Sequence, residues 1–172
     1  MSARSPLGTC LLFLWLAAPP AVAADALPRG NCAQPQPLTD LAHCDFSRRK
    51  LAGRDLHGVR LAGAKLESTD LRKADLRGAD LSRSNAKWAL FTGAQLKDAD
   101  LRNADLFHAI FDEADLSGAR LAGAYLFGAN LIDARAPKAD FTGAYLKDVL
   151  MEGIDLSGGS IRNCYTFREV FV

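Results

Sequence analysis

The residues of this chain best suited to chemistry are a few cysteines and histidines. Cys32, His43 and Cys44 are of the types that bind zinc, but their spacing matches no zinc pattern and a fourth ligand is missing. We therefore favour a disulfide between Cys32 and Cys44 over a metal site, and we predict no metal and no cofactor. Cys164 lies far along the chain from both, so we expect it to be a free or an intermolecular thiol.

An enzyme requires catalytic groups that converge, and the sequence gives no sign of them. His43, His57 and His108 fall in different parts of the chain, and no nucleophile, metal or phosphate motif accompanies them. Several aspartates return at regular intervals, but we interpret them as solvated or strand-stabilising groups of a repeat. These are Asp75, Asp80, Asp100, Asp105 and Asp115. We predict a protein without enzymatic activity.

A large apolar residue occupies every fifth position from Phe46 to Ile161, and only Ala86 and Ala136 interrupt the series. A small residue, usually alanine, stands two positions before most of these large ones. A period of five forms no stripe on an α-helix, and on a flat strand it would alternate between the two faces. The pattern instead predicts a chain that turns a corner in each repeat, with the small and the large residue both pointing inward. Glycine recurs at the predicted corners, as a tight turn favours.

Two of these units, Ala74-Asp75-Leu76-Arg77-Gly78 and Ala129-Asn130-Leu131-Ile132-Asp133, resemble the pentapeptide-repeat family. The family pattern is Ala, then Asp or Asn, then Leu, then two variable residues. The resemblance implies an all-β fold, namely a right-handed, four-sided parallel β-helix with four pentapeptides per coil. Residues 44–163 would then form about six coils. The resemblance covers roughly the last 120 residues.

The segments outside the repeats have different compositions. Residues 1–23 read as a secretory signal peptide, with Arg4, an apolar run and a small-residue cleavage site. Cleavage would leave no stable membrane insertion and a periplasmic or secreted protein, where disulfides persist. Residues 24–43 are predicted to be a proline-rich N-terminal arm or cap, and residues 164–172 a C-terminal capping tail.

Three places in the repeat region depart from the pattern. Arg49 and Arg54 stand where small inward residues belong, and a guanidinium cannot be buried unpaired. The first coil is therefore expected to be splayed or to lie under the arm. Pro137, next to the small Ala136, predicts a local bulge or loop.

One side of the predicted β-helix gathers the outward aromatic residues of the repeat region. With four pentapeptides per coil, residues twenty positions apart lie on the same side. The aromatic side carries Trp88, Phe107, His108, Tyr125, Phe127 and Tyr145. The adjoining side carries Leu90, Ile110, Ile132 and Leu150. A contiguous apolar patch usually marks an interaction surface. We expect a protein partner or a homodimer; the alternatives are a glycan-binding aromatic row and side chains that only cover the coil.

The charge pattern argues against nucleic acid as a partner. The formal net charge is +1, so no bulk charge points to nucleic acid or to an anionic membrane. Some members of the resembled family imitate DNA with a strongly acidic surface and protect a topoisomerase. Here every acidic row is interrupted by arginine or lysine, and an exported protein would not meet that target. The sequence favours a non-catalytic exported scaffold or binding protein.

The inward and outward assignment is testable by two neighbouring substitutions. Leu101→Ala should destabilise the fold by about 2 to 5 kcal/mol because it empties a core position. Arg102→Ala, on the surface, should have almost no effect. Thermal unfolding of the two variants measures the difference, and equal melting temperatures would contradict the assignment.

Overall fold

The computed structural model describes residues 26–166, and these wind into a right-handed, four-sided parallel β-helix. The strands are reduced to single bridge residues, one on each side of each coil. Parallel bridges join residues twenty positions apart, from the pair Asp40 and Arg60 to the pair Tyr145 and Tyr165. The repeat region therefore forms about six coils, as predicted. The predicted signal peptide at 1–23 and positions 167–172 of the predicted tail lie outside the described residues.

Each pentapeptide uses its backbone groups in the same way. In a representative repeat, the amide of Leu76 donates to the carbonyl of Gln95 at 2.8 Å, which links two coils. The amide of Ala79 donates to the carbonyl of Leu76 at 3.0 Å and closes the corner. Buried backbone groups must be paired, and this pattern pairs them without any helix. The described residues contain no helix with the length and apolarity that a bilayer crossing requires.

The corners explain the recurrence of glycine. Every fifth residue from 48 to 163 has a positive φ, between 53° at Trp88 and 70° at Gly153. A positive φ at the third position, together with the hydrogen bond across the corner, is the geometry of a type II turn. Glycine adopts it without steric cost, whereas other residues there cost of order 1 kcal/mol. Residues other than glycine nevertheless occupy many corners, because the hydrogen-bonded ladders on both sides of each corner hold its backbone in this conformation.

The interior consists of the small and large residues of the repeat. Leu76, Leu96 and Leu101 are fully buried, and so is Ala99. The rings of Phe91 and Phe111 stack one coil apart with centroids 4.6 Å apart and planes 3° from parallel. The predicted inward assignment is therefore confirmed from Phe46 to Met151. It is wrong for Ile161, which is 48% exposed, and Leu156 is only half-buried.

The bulge expected at Pro137 is absent, so that prediction is wrong. The amides of Ala136 and Lys138, on either side of it, make their usual bonds to the next coil at 2.7 and 2.9 Å. Pro137 occupies the second position of its turn, where proline is common. The amide at that position makes no backbone hydrogen bond in the other repeats, so its loss there does not disturb the ladder.

The N-terminal end of the stack is ordered rather than splayed. The repeat register extends further back than position 44, since Leu41 is fully buried and Asp40 bridges both Arg29 and Arg60. Nη1 of Arg49 donates to the carbonyl oxygen of Cys32 in the arm at 2.6 Å. Arg49 thus lies under the arm, whereas Arg54 is exposed to solvent.

Candidate functional site

The aromatic residues singled out from the sequence lie together on one side of the β-helix. We call this surface the aromatic face, and it comprises Trp88, Phe107, His108, Tyr125, Phe127, Tyr145 and Tyr165. Tyr125, Tyr145 and Tyr165 follow one another in a single ladder. Tyr165 was missed because it was assigned to the tail, although its distance of twenty residues from Tyr145 was the signal that could have found it.

The rings of the aromatic face form a continuous chain of contacts. Phe107 and Phe127 stack with centroids 5.5 Å apart and planes 8° from parallel. Tyr125 and Tyr145 stack at 4.9 Å. Trp88 meets Phe107 edge to face at 5.3 Å. Contacts of this kind contribute about 0.5 to 1.5 kcal/mol each beyond the area they bury.

Stacking along the helix axis decides what the face offers to a ligand. Because neighbouring Phe and Tyr rings cover each other's flat faces, they present mainly their edges outward. Trp88 lies nearly perpendicular to Phe107, and 46% of it is exposed. Tyr125 is 40% exposed. The surface is therefore a ridge of ring edges with one indole at its N-terminal end.

Polar and charged groups border this ridge. Nδ1 of His108 lies 3.1 Å from the carbonyl oxygen of Gly128, and the ammonium of Lys147 lies 5.6 Å from the centroid of the Phe127 ring. An ion pair between Lys87 and Asp105 spans 3.2 Å on the same side. An apolar centre with a polar margin is the usual anatomy of a protein interface.

The adjoining side is less continuous than the sequence suggested. Leu90 and Ile110 are neighbours in one ladder, but Asn130 separates Ile110 from Leu150. Leu150 is 56% exposed, and Ile132 is half-buried in the repeat of Asn130. The first two residues extend the apolar surface, whereas Leu150 stands apart along the ladder.

On the charged sides, carboxylates are paired with arginines. Asp100 is only 6% exposed, and it accepts hydrogen bonds from Nε of Arg102 at 2.9 Å and from Nη2 of Arg120, one coil away, at 2.8 Å. Arg72 pairs in the same way with Asp70 in its own repeat. The hydrogen bonds from Arg102 hold the pKa of Asp100 below its ordinary value, although burial opposes this.

This pairing corrects the expectation for Arg102. Arg102→Ala should cost about 1 kcal/mol rather than almost nothing, because it removes a two-pronged contact with a nearly buried carboxylate. Arg120 remains to compensate the charge, so the loss stays well below that of Leu101→Ala.

Cysteine chemistry is concentrated at the N-terminal end. The structure joins Cys32 and Cys44 in a disulfide with Cα atoms 5.5 Å apart, and Nε2 of His43 lies 3.5 Å from Sγ of Cys32. At the other end, Cys164 has a free, partly buried thiol that donates to the carbonyl of Phe141 at 3.0 Å. Burial raises the pKa of this thiol, which disfavours the reactive thiolate.

A second cluster of ligand-type side chains was not found from the sequence. Asp55, His57 and Asp75 bring their oxygen and nitrogen atoms within 4.8 Å of one another. Asp55 and His57 already pair at 2.7 Å, and Asp75 is paired with Arg77. The signal that could have revealed the cluster is again the spacing of twenty between Asp55 and Asp75.

The pairing of Asp100 makes stability depend on acidity. A carboxyl whose pKa is lowered by folding stabilises the protein above its unfolded pKa, about 3.9 for Asp, and this contribution is lost as the pH falls through the folded pKa. Asp100→Asn should therefore cost about 1 to 2 kcal/mol at pH 7 and progressively less below about pH 4. Urea unfolding at several pH values, with the exposed corner variant Asp98→Asn as control, measures this. A deficit that stays the same at pH 3 would contradict it.

Comparison with known proteins identifies the repeat. The model of pentapeptide repeats matches eight copies within residues 39–78, 55–98, 70–106, 87–123 and 124–163. No curated protein matches the chain.

Among solved structures, the chain resembles Rfr23, a pentapeptide repeat protein from the cyanobacterium Cyanothece 51142. The two are 28% identical over 68% of this chain and 90% of that one, with a TM-score of 0.60. HetL from Nostoc sp. strain PCC 7120, involved in heterocyst differentiation regulation, is 33% identical over 74% of this chain, with a TM-score of 0.45. The matched region spans 65% of HetL. QnrB1, a plasmid-mediated fluoroquinolone resistance protein, is 17% identical over 72% of this chain and 77% of its own, with a TM-score of 0.47. With its repeats matched from residue 39 to residue 163, the chain belongs to the pentapeptide repeat family.

Proposed function

We propose that this protein is an exported, non-catalytic binding protein that presents its aromatic face to a protein partner. The observation that carries the proposal is the unbroken row of ring contacts from Trp88 to Tyr165, which runs along the outside of a rigid stack. Rings packed on one another are already ordered before binding, so little conformational entropy is lost when a partner covers them. Aromatic side chains are also favoured anchors of protein interfaces.

The geometry supports a protein partner over a glycan. Sugar rings bind by lying flat on an open aromatic ring. The flat faces of Phe107, Phe127 and Tyr145 are instead covered by neighbouring rings in the stack. Within the aromatic face, Trp88 and His108 stand across the stack. The ring edges and tyrosine hydroxyls suit the side chains and backbone groups of a protein surface. Binding of carbohydrate, and association with a second copy, are separate outcomes of the test below.

Two further functional classes are disfavoured on specific grounds. Mimicry of DNA needs free negative charge, but Asp70, Asp75 and Asp100 are each paired with arginine. Enzymatic activity needs converging groups, and the histidines of the described residues lie apart. His43 contacts Arg29 at the N-terminal end, His57 pairs with Asp55, and His108 belongs to the aromatic face.

Export rests on the N-terminal sequence, which lies outside the described residues. The disulfide between Cys32 and Cys44 is compatible with an oxidising compartment. Expressed with its own N-terminus in a bacterial host, the protein should be recovered outside the cytoplasm with Ala24 as its first residue. Mass spectrometry of the fractionated cells tests this, and full-length protein retained in the cytoplasm would contradict it.

The binding role is tested with a pair of substitutions on the aromatic face. Trp88→Asn with Tyr125→Thr removes two exposed rings of the aromatic face. The replacements keep a residue tolerant of positive φ at the corner and a strand-forming residue in the ladder. A bound partner should lose about 2 kcal/mol, or about thirtyfold in Kd. The measurement is sedimentation together with cross-linking and affinity capture from an envelope extract.

The matched control changes a ladder residue and a corner residue on other sides, Gln95→Thr and Asn103→Ser. Loss of a captured protein only in the aromatic variant supports the proposal. Unchanged capture and unchanged sedimentation in that variant would overturn it. Loss of self-association alone would mean that the aromatic face binds a second copy of this chain. Loss of binding to a glycan array alone would mean that it binds carbohydrate.

A further inference from the structure

We propose that the bond between Cys32 and Cys44 is a site of thiol–disulfide exchange, in which His43 carries the proton between an incoming thiol and the departing sulfur. The inference is independent of the aromatic face. It rests on three features of the N-terminal end, namely the position of the imidazole, the charges around it and the unequal exposure of the two sulfurs.

The imidazole of His43 faces both sulfurs with the same atom. Nε2 lies 3.5 Å from Sγ of Cys32 and 3.8 Å from Sγ of Cys44. Nε of Arg29 donates to this nitrogen at 3.3 Å, so Nε2 carries a lone pair in this arrangement. The contact with Arg29 is long, and it can give way when the nitrogen takes up a proton. Arg29 is therefore a positioning residue for the ring.

Two arginines lie beside the disulfide, and the carboxylate of Asp40 is close enough to His43 to interact with it electrostatically. Arg29 touches the imidazole, and the guanidinium of Arg49 reaches the backbone of the bridge itself, donating to the carbonyl oxygen of Cys32 at 2.6 Å. Cationic neighbours stabilise a thiolate relative to a thiol. The leaving Sγ of Cys44 is buried, which disfavours a bare thiolate, so its departure depends on the proton that Nε2 of His43 supplies.

The two sulfurs differ in access. Cys32 lies in the arm and is partly exposed, whereas Cys44 is an inward residue of the stack with only 3% of its surface accessible. His43 is exposed to solvent. An incoming thiol therefore reaches Cys32 first, and Cys44 is the leaving sulfur.

The exchange balances without a cofactor. An incoming thiol gives its proton to Nε2 of His43, and its sulfur forms a bond to Sγ of Cys32 while the bond between the two cysteines breaks. The electron pair goes to Sγ of Cys44, which takes the proton from Nε2. The products are a mixed disulfide at Cys32 and a thiol at Cys44. A second thiol then removes the first from Cys32, and the oxidised product is the disulfide of the external thiol.

Opening the bond would loosen the arm over the first coil. The turn at Asn31 and Gln34 is held near the stack by the disulfide and by the bonds from Arg49 to Cys32 and Ala33. The link between Arg29 and Asp40 would remain. The exchange thus acts on the cap of the stack and leaves the ladders intact.

The same three residues could hold a metal only after reduction, since the disulfide consumes both thiolates. The guanidinium of Arg29 at the only imidazole nitrogen facing the sulfurs opposes a cation there. The cluster therefore favours exchange over metal binding.

The experiment uses the oxidised mature chain with Cys164→Ser, so that one pair of cysteines reports. The protein is mixed with excess glutathione at pH 7, quenched with an alkylating agent and analysed by mass spectrometry. We expect glutathione on Cys32 and the alkyl group on Cys44. His43→Gln should slow the reaction about tenfold or more, as loss of a general acid–base group does. His57→Gln, on another side of the stack, should react like the parent.

Chemical rescue separates proton transfer from a structural role. His43→Gly should be slow in buffer and should recover rate when imidazole is added, while His57→Gly should not respond. Equal rates for His43→Gln and the parent would overturn the role of His43. Glutathione found on Cys44 in the parent would overturn the direction of attack, and this observation requires no substitution of His43.

Discussion

Backbone hydrogen bonds between residues twenty positions apart determine where every side chain of the repeat region lies. They are possible because each corner adopts a positive φ and each side contributes one short bridge. The inward alanine keeps adjacent coils close, and the large residue beside it fills the interior, so that packing and hydrogen bonding specify the same register. This agreement explains why Ala86, Ala136 and Pro137 leave the ladder undisturbed. A smaller core residue or a proline in one repeat does not shift the register, because the neighbouring coils hold it in place.

The same register converts sequence into columns on the surface, because equal positions in successive coils become neighbours. Where those positions hold Asp and Arg, charges pair within a repeat and between coils, as at Asp100 with Arg102 and Arg120. Where they hold aromatic residues, rings stack on rings. The aromatic face is thus rigid for the same reason that the core is, and its chemistry follows from the orientation of the rings as much as from their number.

The N-terminal end of the stack has no preceding coil, so the polar groups and core residues of its first coil need other partners. The arm supplies them through carbonyl oxygens that accept from Arg49 and through the disulfide at Cys44. Here the chain departs from its repeat, and here the reactive groups meet. The arm is thus held to the stack by a covalent bond, by hydrogen bonds from Arg49 and by the bridge between Arg29 and Asp40.

How much of this could be predicted depends on the range of the interaction. The period of five, the small residue two places before each large one and the glycines at corners were enough to predict a stacked coil with inward leucines, because each is a local rule repeated many times. The resemblance to the pentapeptide-repeat family supplied the four repeats per coil, and with them the side that carries the aromatic residues. Local rules did not reveal the pairing of Arg102 with a nearly buried Asp100, the accommodation of Pro137, the separation of Leu150 by Asn130 or the closeness of His43 to both sulfurs. Those depend on side-chain conformations and on contacts between coils, which the sequence allows but does not choose. The sequence by itself determined the winding of the chain and which residues face outward; only the tertiary structure decided how those residues meet, because rings, carboxylates and sulfurs take their positions from neighbours a full coil away.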